Sequence, residues 1–130
     1  RNPSDYTPDL SRRARGVDVW AALKFLGRSG LAEMLDRCCS NARRFADGLE
    51  KAGFEILNDV KLNQVLVSFG DDARTRKIID AIQADGTCWC GVTVWQGHTA
   101  MRISVSNWST TPADVDLSLA AIIRIAGDMP

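Results

Sequence analysis

The spacing of the apolar residues changes at Gly53, and this change constrains the fold more than any other feature of the sequence. Before Gly53, apolar residues recur at every third or fourth position, which is the period of an amphipathic helix. After it, short runs alternate between apolar and polar residues as strands do, and two further helical patterns follow these runs. The predicted order of elements is α-α-β-β-α-β-β-α. Antiparallel hairpins in this order predict a two-layer α+β domain with its helices packed on one face of the sheet.

Two helices are predicted ahead of the sheet. The first follows a stripe from Val17 to Phe25 and ends at Gly27, and the second begins after Ser29, whose hydroxyl is a suitable N-cap. The apolar stripe of the second helix consists of Leu31, Met34, Leu35, Cys38, Ala42, Phe45, Ala46 and Leu49. The predicted domain organisation is therefore an extended leading segment (1–15), connecting helices (16–52) and an α+β C-terminal domain (53–130).

The elements after residue 53 have clear start and stop signals. The four predicted strands are the runs FEIL, LNQVLVSF, TCWCGVTVW and AMRISVSNW. An aspartate of the Asp71–Asp72 pair is expected to cap the third helix, which ends at Gly86. Thr111 is expected to cap the last helix, with Pro112 and Asp114 in its first turn. The buried stripe predicted for the last helix consists of Val115, Leu119, Ile122, Ile123 and Ala126.

Composition and charge exclude several classes of function. The 16 basic and 16 acidic residues cancel, so charge gives no reason to expect nucleic acid or an anionic membrane as a partner. No apolar run is long enough to span a bilayer. The four cysteines do not have the spacing of a zinc knuckle or a thioredoxin-like site, so no metal site is predicted. We expect them to be reduced thiols in a cytoplasmic protein.

Arg102 is the main candidate for a functional residue. It lies in the fourth predicted strand, on a polar face that it shares with Ser104 and Ser106. A guanidinium in that position can form two parallel hydrogen bonds with a carboxylate. A solvated strand arginine or a structural ion pair is typical of the same pattern, so the spacing alone leaves the role of Arg102 open.

The predicted hairpin tip WQGH is a second candidate. Trp95, Gln96 and His98 are expected to be exposed around Gly97, which accommodates an unusual φ angle, and exposed tips often bind ligands. A plain turn explains the same residues, and His98 has no evident partner for acid–base catalysis. The basic run SRRARG (11–16) is compatible with phosphate binding, with a subunit interface or with simple solvation. No motif in the chain completes an active site.

Two stretches of the sequence resemble one known family. SRRARGVDVWAALKFLGRSGLAEMLDRCC and CWCGVTVWQGHTAMRISVSNWSTTPADVD are similar to the C-terminal part of group II pyridoxal-phosphate-dependent amino-acid decarboxylases. The first resembles an arginine-rich stretch and a following tryptophan–glycine pattern, and the second resembles the penultimate strand and the capped final helix. The resemblance implies fold type I, as in aspartate aminotransferase. The chain would be the small C-terminal domain, which closes the substrate side of the active site of a carboxy-lyase.

The same resemblance implies what the chain would contribute and what it would lack. In this family the Schiff-base lysine follows a histidine, and no lysine here does. The chain would therefore contain no catalytic and no confident cofactor-binding residue, and it would be inactive alone. Pyridoxal 5'-phosphate would bind the full-length enzyme and not this fragment. Arg102 would bind a substrate carboxylate, with Trp95, Gln96 and His98 beside it, although arginine is common in the family at the position of His98.

The partners that the resemblance implies are the N-terminal cofactor-binding domain, the second subunit of a homodimer and a small amino-acid substrate. Surfaces that meet them would be exposed in this chain, and the tryptophans Trp20, Trp89, Trp95 and Trp108 are expected there. One alternative is a stand-alone α+β small-molecule-binding or regulatory module. Another is a redox role for Cys88 and Cys90, whose Cα atoms on a strand would be roughly 6.5–7 Å apart, at the edge of disulfide reach.

Overall fold

The structure is a computed structural model that describes residues 1–6 and 13–129. Residues 7–12, which include Arg12 of the basic run, and residue 130 lie outside the described residues. The chain divides into two compact units, Arg1–Glu33 and Met34–Pro130. The second unit begins within the range predicted for the connecting helices, because the later part of that range packs in the same core as the sheet.

The first unit contains a 3-10 helix (Pro3–Tyr6), where extended chain was predicted, and the first part of helix α1 (Arg15–Lys51). The α1 backbone is non-helical at Gly27, with φ of 64° and ψ of −172°, a conformation that glycine adopts without steric cost. This break matches the predicted end of the first helix, although Ser29 lies inside the helical run and not at a cap. The predicted stripe is exposed in this unit, with Phe25 at 87%. Within the basic run, Arg13 pairs with Asp18 at 2.5 Å.

The second unit contains a four-stranded antiparallel sheet in the order β1-β2-β4-β3. Its strands are β1 (Glu55–Ile56), β2 (Gln64–Ser68), β3 (Gly91–Trp95) and β4 (His98–Ser104). Helix α2 (Asp72–Asp85) connects β2 to β3, and helix α3 (Pro112–Asp128) follows β4. Strands β2 and β3 run in the same direction with β4 inserted between them, which is a split βαβ arrangement. The predicted α+β fold with helices packed on the sheet is confirmed.

A single apolar core joins the sheet to the helices. Its strand residues have odd numbers, because successive side chains of a strand point to opposite faces, and Val65 and Val67 pair with Ile103 and Met101. The helix residues of this core are Ala42, Phe45, Ala46 and Leu49 from α1, Ile78, Ile79 and Ile82 from α2, and Val115, Leu119, Ile122, Ile125 and Ala126 from α3. The helices therefore cover the odd-numbered face of the central strands, and Arg102 belongs to the other face.

Two predicted core positions are wrong. Leu35 is 53% exposed, and Ile123 is 36% exposed. Ile125 is buried in place of Ile123, because it lies three residues after the buried Ile122 and so falls on the same side of α3. The error at Ile123 arises because the adjacent Ile122 and Ile123 fit two helical stripes equally well.

The helix caps confirm the local predictions. Asp71 caps α2 by accepting a hydrogen bond from the backbone N–H of Arg74 at 2.8 Å, and Gly86 ends this helix with a φ of 78°. Thr111 and Asp114 form a capping box at the start of α3, in which each side chain accepts a hydrogen bond from the backbone N–H of the other. The Thr111 hydroxyl also donates to the Asp114 carboxylate at 2.7 Å, and this bond, together with the one from the Thr111 backbone N–H, lowers the pKa of Asp114.

Arg74 connects the start of α2 with two other parts of the second unit. Its guanidinium donates to the carbonyl oxygen of Phe69, just after β2. It also donates to the carbonyl oxygens of Ala126 at 3.1 Å and Met129 at 3.0 Å, at the C-terminal end of α3. One side chain thus satisfies carbonyl groups that the strand and the helix end leave free.

Candidate functional site

Arg102 lies in the middle of β4, an interior strand, and its side chain is exposed on the face opposite the core. Its neighbours across the strands are Leu66 on β2 and Gly91 on β3. The guanidinium Nη2 is 3.9 Å from the place that a Cβ atom would occupy at Gly91. The arginine side chain therefore extends over β3 at the one position of that strand that has no side chain.

The guanidinium of Arg102 has N–H donors that no described residue of the chain uses. Within residues 1–6 and 13–129, Arg102 makes no ion pair and no side-chain hydrogen bond. A guanidinium presents five N–H donors in a planar fork, and that fork matches the two oxygens of a carboxylate. An exposed arginine with free donors on an interior strand is suited to bind an anionic ligand from outside this part of the chain.

The β3–β4 connection is a two-residue hairpin turn at Gln96 and Gly97, which lies within the predicted tip WQGH. Trp95 pairs with His98, and the two residues between them, Gln96 and Gly97, have φ angles of 49° and 88°. Positive φ at both positions is typical of a type I′ turn, which matches the twist of the flanking strands. Trp95 is 42% exposed and His98 is exposed, so three side chains with binding potential surround this tip.

Arg102 and the hairpin tip lie on the same face of the sheet, but they are too far apart to form one small site. His98 and Arg102 lie on the same face of β4 because they are separated by four positions, which corresponds to roughly 13 Å along a strand. Trp95 lies beside His98 at the tip, and Gly91 lies beside Arg102. A small amino acid whose carboxylate binds Arg102 would contact the hairpin tip only if the side chains between them span the remaining distance.

His98 has an acidic neighbour that the sequence did not reveal. The carboxylate of Asp72, in the first turn of α2, accepts a hydrogen bond from the backbone N–H of Thr99 at 2.9 Å. That bond is the main reason why the pKa of Asp72 is lowered, and the nearby charges of His98 and Arg76 lower it further. The only trace of this contact in the sequence is the second aspartate of the run GDD. Local spacing identifies that aspartate only as a possible helix cap.

A cavity of about 490 Å³ lies at the other end of the β3–β4 hairpin. The segment that precedes β3, Cys88–Cys90, forms one part of its wall, and Ser104, Asp114 and Ser118 form other parts. The two cysteines were predicted within the third strand, but β3 begins only at Gly91, and the segment before it is irregular. All four cysteines of the chain are free thiols.

The lysines of this chain do not fit covalent binding of an aldehyde cofactor. The four residues are Lys24, Lys51, Lys61 and Lys77. All of them are exposed, whereas an amine that forms a Schiff base has to lose its proton, which burial or a cationic neighbour favours. In the described part of the chain, no cluster of three or more His, Cys, Asp or Glu could hold a metal ion. Nor is any described helix long and apolar enough to cross a membrane.

Comparisons with known proteins identify the fold. No protein-family model and no curated protein sequence matches the chain. The chain is similar in structure to Oryza sativa TDC with PLP and tryptamine, with a TM-score of 0.82, 18% identity and coverage of 98% of this chain and 29% of that chain. It is similar to Catharanthus roseus tryptophan decarboxylase in complex with L-tryptophan, with a TM-score of 0.84, 18% identity and coverage of 96% and 29%.

A third similar structure is Rhodiola rosea 4-hydroxyphenylacetaldehyde synthase, with a TM-score of 0.82, 22% identity and coverage of 96% of this chain and 29% of that chain. The chain thus has the fold that these enzymes adopt over somewhat less than a third of their length. The fold agrees with the resemblance of the two sequence stretches to amino-acid decarboxylases. The names of the three enzymes include a synthase as well as a decarboxylase, so the fold alone does not select one reaction.

Replacement of Gln96 by glycine is expected to increase the free energy of unfolding by about 0.5–1 kcal/mol, because a residue with a side chain is strained at a φ of 49°. Urea unfolding followed by circular dichroism measures this change. Replacement of Gly97 by alanine is the matched control and should destabilise, since Gly97 also has a positive φ. If Gln96→Gly raises the free energy of unfolding and also weakens substrate binding in the complete protein, the strained backbone at Gln96 contributes to binding. An unchanged free energy of unfolding would mean that the turn holds Gln96 without strain.

Proposed function

We propose that this chain is the C-terminal domain of a pyridoxal-phosphate-dependent amino-acid decarboxylase and forms the substrate side of its active site. The main support is the structural similarity over 96–98% of the chain to enzymes that include a tryptophan decarboxylase. The two resembling stretches give independent support from sequence. The cofactor and the Schiff-base lysine would belong to a preceding domain, in keeping with the exposed lysines of this chain, so the chain alone would be inactive.

In this proposal Arg102 positions the substrate through a carboxylate. Decarboxylation disperses the charge of the α-carboxylate, so a tight ion pair with that group would stabilise the ground state more than the transition state and slow the reaction. The geometry of Arg102 is compatible with a looser role, because its side chain is exposed and extends over Gly91 without fixed partners among the described residues. Arg102 would orient the α-carboxylate weakly or bind a side-chain carboxylate of the substrate.

The hairpin tip and the exposed tryptophans would meet the rest of a cytoplasmic homodimer. Trp95, Gln96 and His98 would lie beside the substrate or at the contact with the cofactor-binding domain. This contact is supported by the exposed fractions of Trp20, Trp89 and Trp108, which are 64%, 76% and 72%. Burial of apolar side chains of this size is energetically favourable, so the preceding domain or the second subunit would bury part of them.

The decisive experiment is an assay of the complete protein that contains this chain. With pyridoxal 5'-phosphate and a panel of aromatic, acidic and basic amino acids, we expect equal amounts of carbon dioxide and amine from at least one substrate. The isolated 130-residue chain is the control and should release none. A complete protein that binds the cofactor and releases no carbon dioxide from any amino acid would disprove the decarboxylase function. Amino-acid binding by the isolated chain would instead favour the stand-alone binding module.

A further inference from the structure

The outer edge of β3 is open. Among residues 1–6 and 13–129, β3 pairs only with β4, so no strand covers its other side. Edge strands that avoid pairing with other chains are usually short, or they carry a charge or a proline. The edge strand β1 is both short and charged, since it consists of Glu55 and Ile56 alone. Strand β3 has the sequence GVTVW, which contains neither a charge nor a proline, so its edge is suited to pair with a further strand.

The pairing of β3 with β4 determines which backbone groups point to the open edge. Trp95 and His98 flank a two-residue turn and exchange backbone hydrogen bonds with each other. Bonded positions alternate along an antiparallel pair, so every second residue of β3 before Trp95 also bonds to β4. The N–H of Thr99, opposite Val94, agrees with this alternation because it bonds to a side chain of α2 and not to β3. The N–H and C=O groups of Val92 and Val94 therefore point to the open edge.

On the side of the helices, this edge has both an exposed valine and a cavity. The cavity of about 150 Å³ lies between α2 and β3, and Val92 forms its β3 wall. The residues of α2 that line it are Arg76, Ile79, Asp80 and Gln83. Val94 lies two positions from Val92 on the same face of β3 and is 62% exposed. A second valine placed beside Val92 would therefore cover the apolar part of this cavity.

On the opposite face, the same edge has a gap and an exposed aromatic side chain. Gly91 leaves the backbone uncovered, and the Arg102 guanidinium lies 3.9 Å from the place of a Cβ atom there. Trp95 lies four positions further along β3 on this face. An aromatic side chain across from a glycine covers the backbone that the glycine exposes, and an indole also stacks on a guanidinium. Gly91 and Arg102 thus form a place for an indole from a neighbouring strand.

One two-fold register brings these features together. When two copies of β3 pair antiparallel with Thr93 opposite Thr93, Val92 of each copy lies opposite Val94 of the other. These valines then exchange both backbone hydrogen bonds, and each Val94 lies at the cavity beside the other copy's Val92. The same register places Gly91 of each copy opposite Trp95 of the other. No other antiparallel register gives both pairs.

We propose that β3 is a contact surface between two copies of this chain, which pair through it in the register centred on Thr93. The pairing would join two four-stranded sheets into one continuous sheet. Charge does not oppose this contact, because Arg76 and Asp80 cancel beside the cavity and the chain as a whole has no net charge. The partner at this edge is therefore a second copy, whose own β3 supplies the valine and the indole that the edge accommodates.

The contact would bring a residue of the second copy into the candidate site. Trp95 of one copy would lie beside the Arg102 guanidinium of the other, since Arg102 extends over Gly91. Stacking of an indole on the face of a guanidinium leaves the N–H donors at its edge free for a carboxylate. The pairing itself does not depend on the proposed decarboxylase function.

Disulfide cross-linking in the complete protein tests this register. The Cα atoms of the two Thr93 residues would be about 4.5 Å apart, so Thr93→Cys should cross-link two copies on oxidation with copper phenanthroline. Val92→Cys is the matched control, because its two Cα atoms would be roughly 7–8 Å apart, at or beyond the limit for a disulfide. We expect at least about tenfold more cross-linked product for Thr93→Cys. Peptide mass spectrometry separates this disulfide from any formed by the four native free cysteines.

A second pair of variants tests the backbone hydrogen bonds of the contact. Val94→Pro removes an N–H that points to the open edge, a position at which a strand tolerates proline, and it should lower cross-linking by Thr93→Cys at least about tenfold. Val94→Thr keeps the N–H and the branched shape and should leave cross-linking within about twofold. Circular dichroism checks that both variants fold, and the comparison of Thr93→Cys with Val92→Cys decides if Val94→Pro does not.

Three outcomes would overturn the proposal. Equal cross-linking of Thr93→Cys and Val92→Cys would reveal random collisions, and unchanged cross-linking in Val94→Pro would exclude a hydrogen-bonded strand pair. Absence of cross-linking would mean that another partner, such as the preceding domain, covers this edge. None of these measurements requires turnover, so they remain informative if the complete protein releases no carbon dioxide.

Discussion

Replacement of Arg102 by alanine in the complete protein is expected to lower kcat or raise KM at least about tenfold, equivalent to about 1.4 kcal/mol. The physical reason is the loss of the only group described on that strand face that can bind a carboxylate through two parallel hydrogen bonds. Arg102→Lys keeps the charge but not the fork, so it should recover part of the activity. Steady-state kinetics with the substrate found in the amino-acid panel measures both parameters.

Two control variants test whether the position of the Arg102 guanidinium, and not its charge alone, affects the kinetics. Arg43→Ala removes an exposed arginine of α1 and should leave the kinetics unchanged, since α1 packs on the face of the sheet opposite Arg102. Gly91→Leu keeps Arg102 but fills the space 3.9 Å from its Nη2, so it should mimic the loss of Arg102. Unchanged kinetics in Arg102→Ala would show that Arg102 has no role in substrate binding.

Replacement of Arg74 by methionine is expected to lower the free energy of unfolding by about 2–4 kcal/mol. The methionine side chain has a similar length but no donors, so the carbonyl groups of Phe69, Ala126 and Met129 would lose their charged partner. A part-buried carbonyl group without a partner is costly, and these three belong to the end of β2 and the end of α3. Urea unfolding of the wild type and the variant measures the difference.

Arg76 provides the control for that measurement, because it lies two positions further along α2 and is exposed. Arg76→Met should change the free energy of unfolding by no more than about 0.5 kcal/mol. Arg74→Lys should fall between the wild type and Arg74→Met, since an ammonium can donate to some of the carbonyl groups but not in the fixed geometry of a guanidinium. Equal stability of Arg74→Met and Arg76→Met would mean that the carbonyl groups find other partners.

The features that could be predicted from the sequence are those set by neighbouring residues. Thr111 caps the start of α3 and Gly86 caps the end of α2 as expected, because caps depend on residues within one turn of the helix terminus. A hairpin tip within WQGH was also predictable, since alternating runs flank it, but the two-residue length of the turn and the pairing of Trp95 with His98 were not. The element order and the buried faces of the central strands follow from the same local periodicity.

The features that could not be predicted depend on contacts between distant parts of the chain. Arg74 bonds to carbonyl groups 52 and 55 residues away, and no local pattern distinguishes it from the exposed Arg76. Asp72 lies 27 residues from Thr99, and its hydrogen bond to that strand exists only once α2 packs beside β4. For the candidate site, Arg102 was predictable as a strand arginine, but the absence of a side chain across from it at Gly91 required the register of β3 and β4.

The insertion of β4 between β2 and β3 has a consequence for how the domain is made. Synthesis proceeds from the N-terminus, so β1, β2, α2 and β3 leave the ribosome before the strand that joins β2 to β3. Until β4 emerges, β2 and β3 each have an unpaired edge, and such edges favour association with other chains. A premature stop before His98 would therefore remove the middle of the sheet, whereas loss of β1 would remove only a two-residue edge strand.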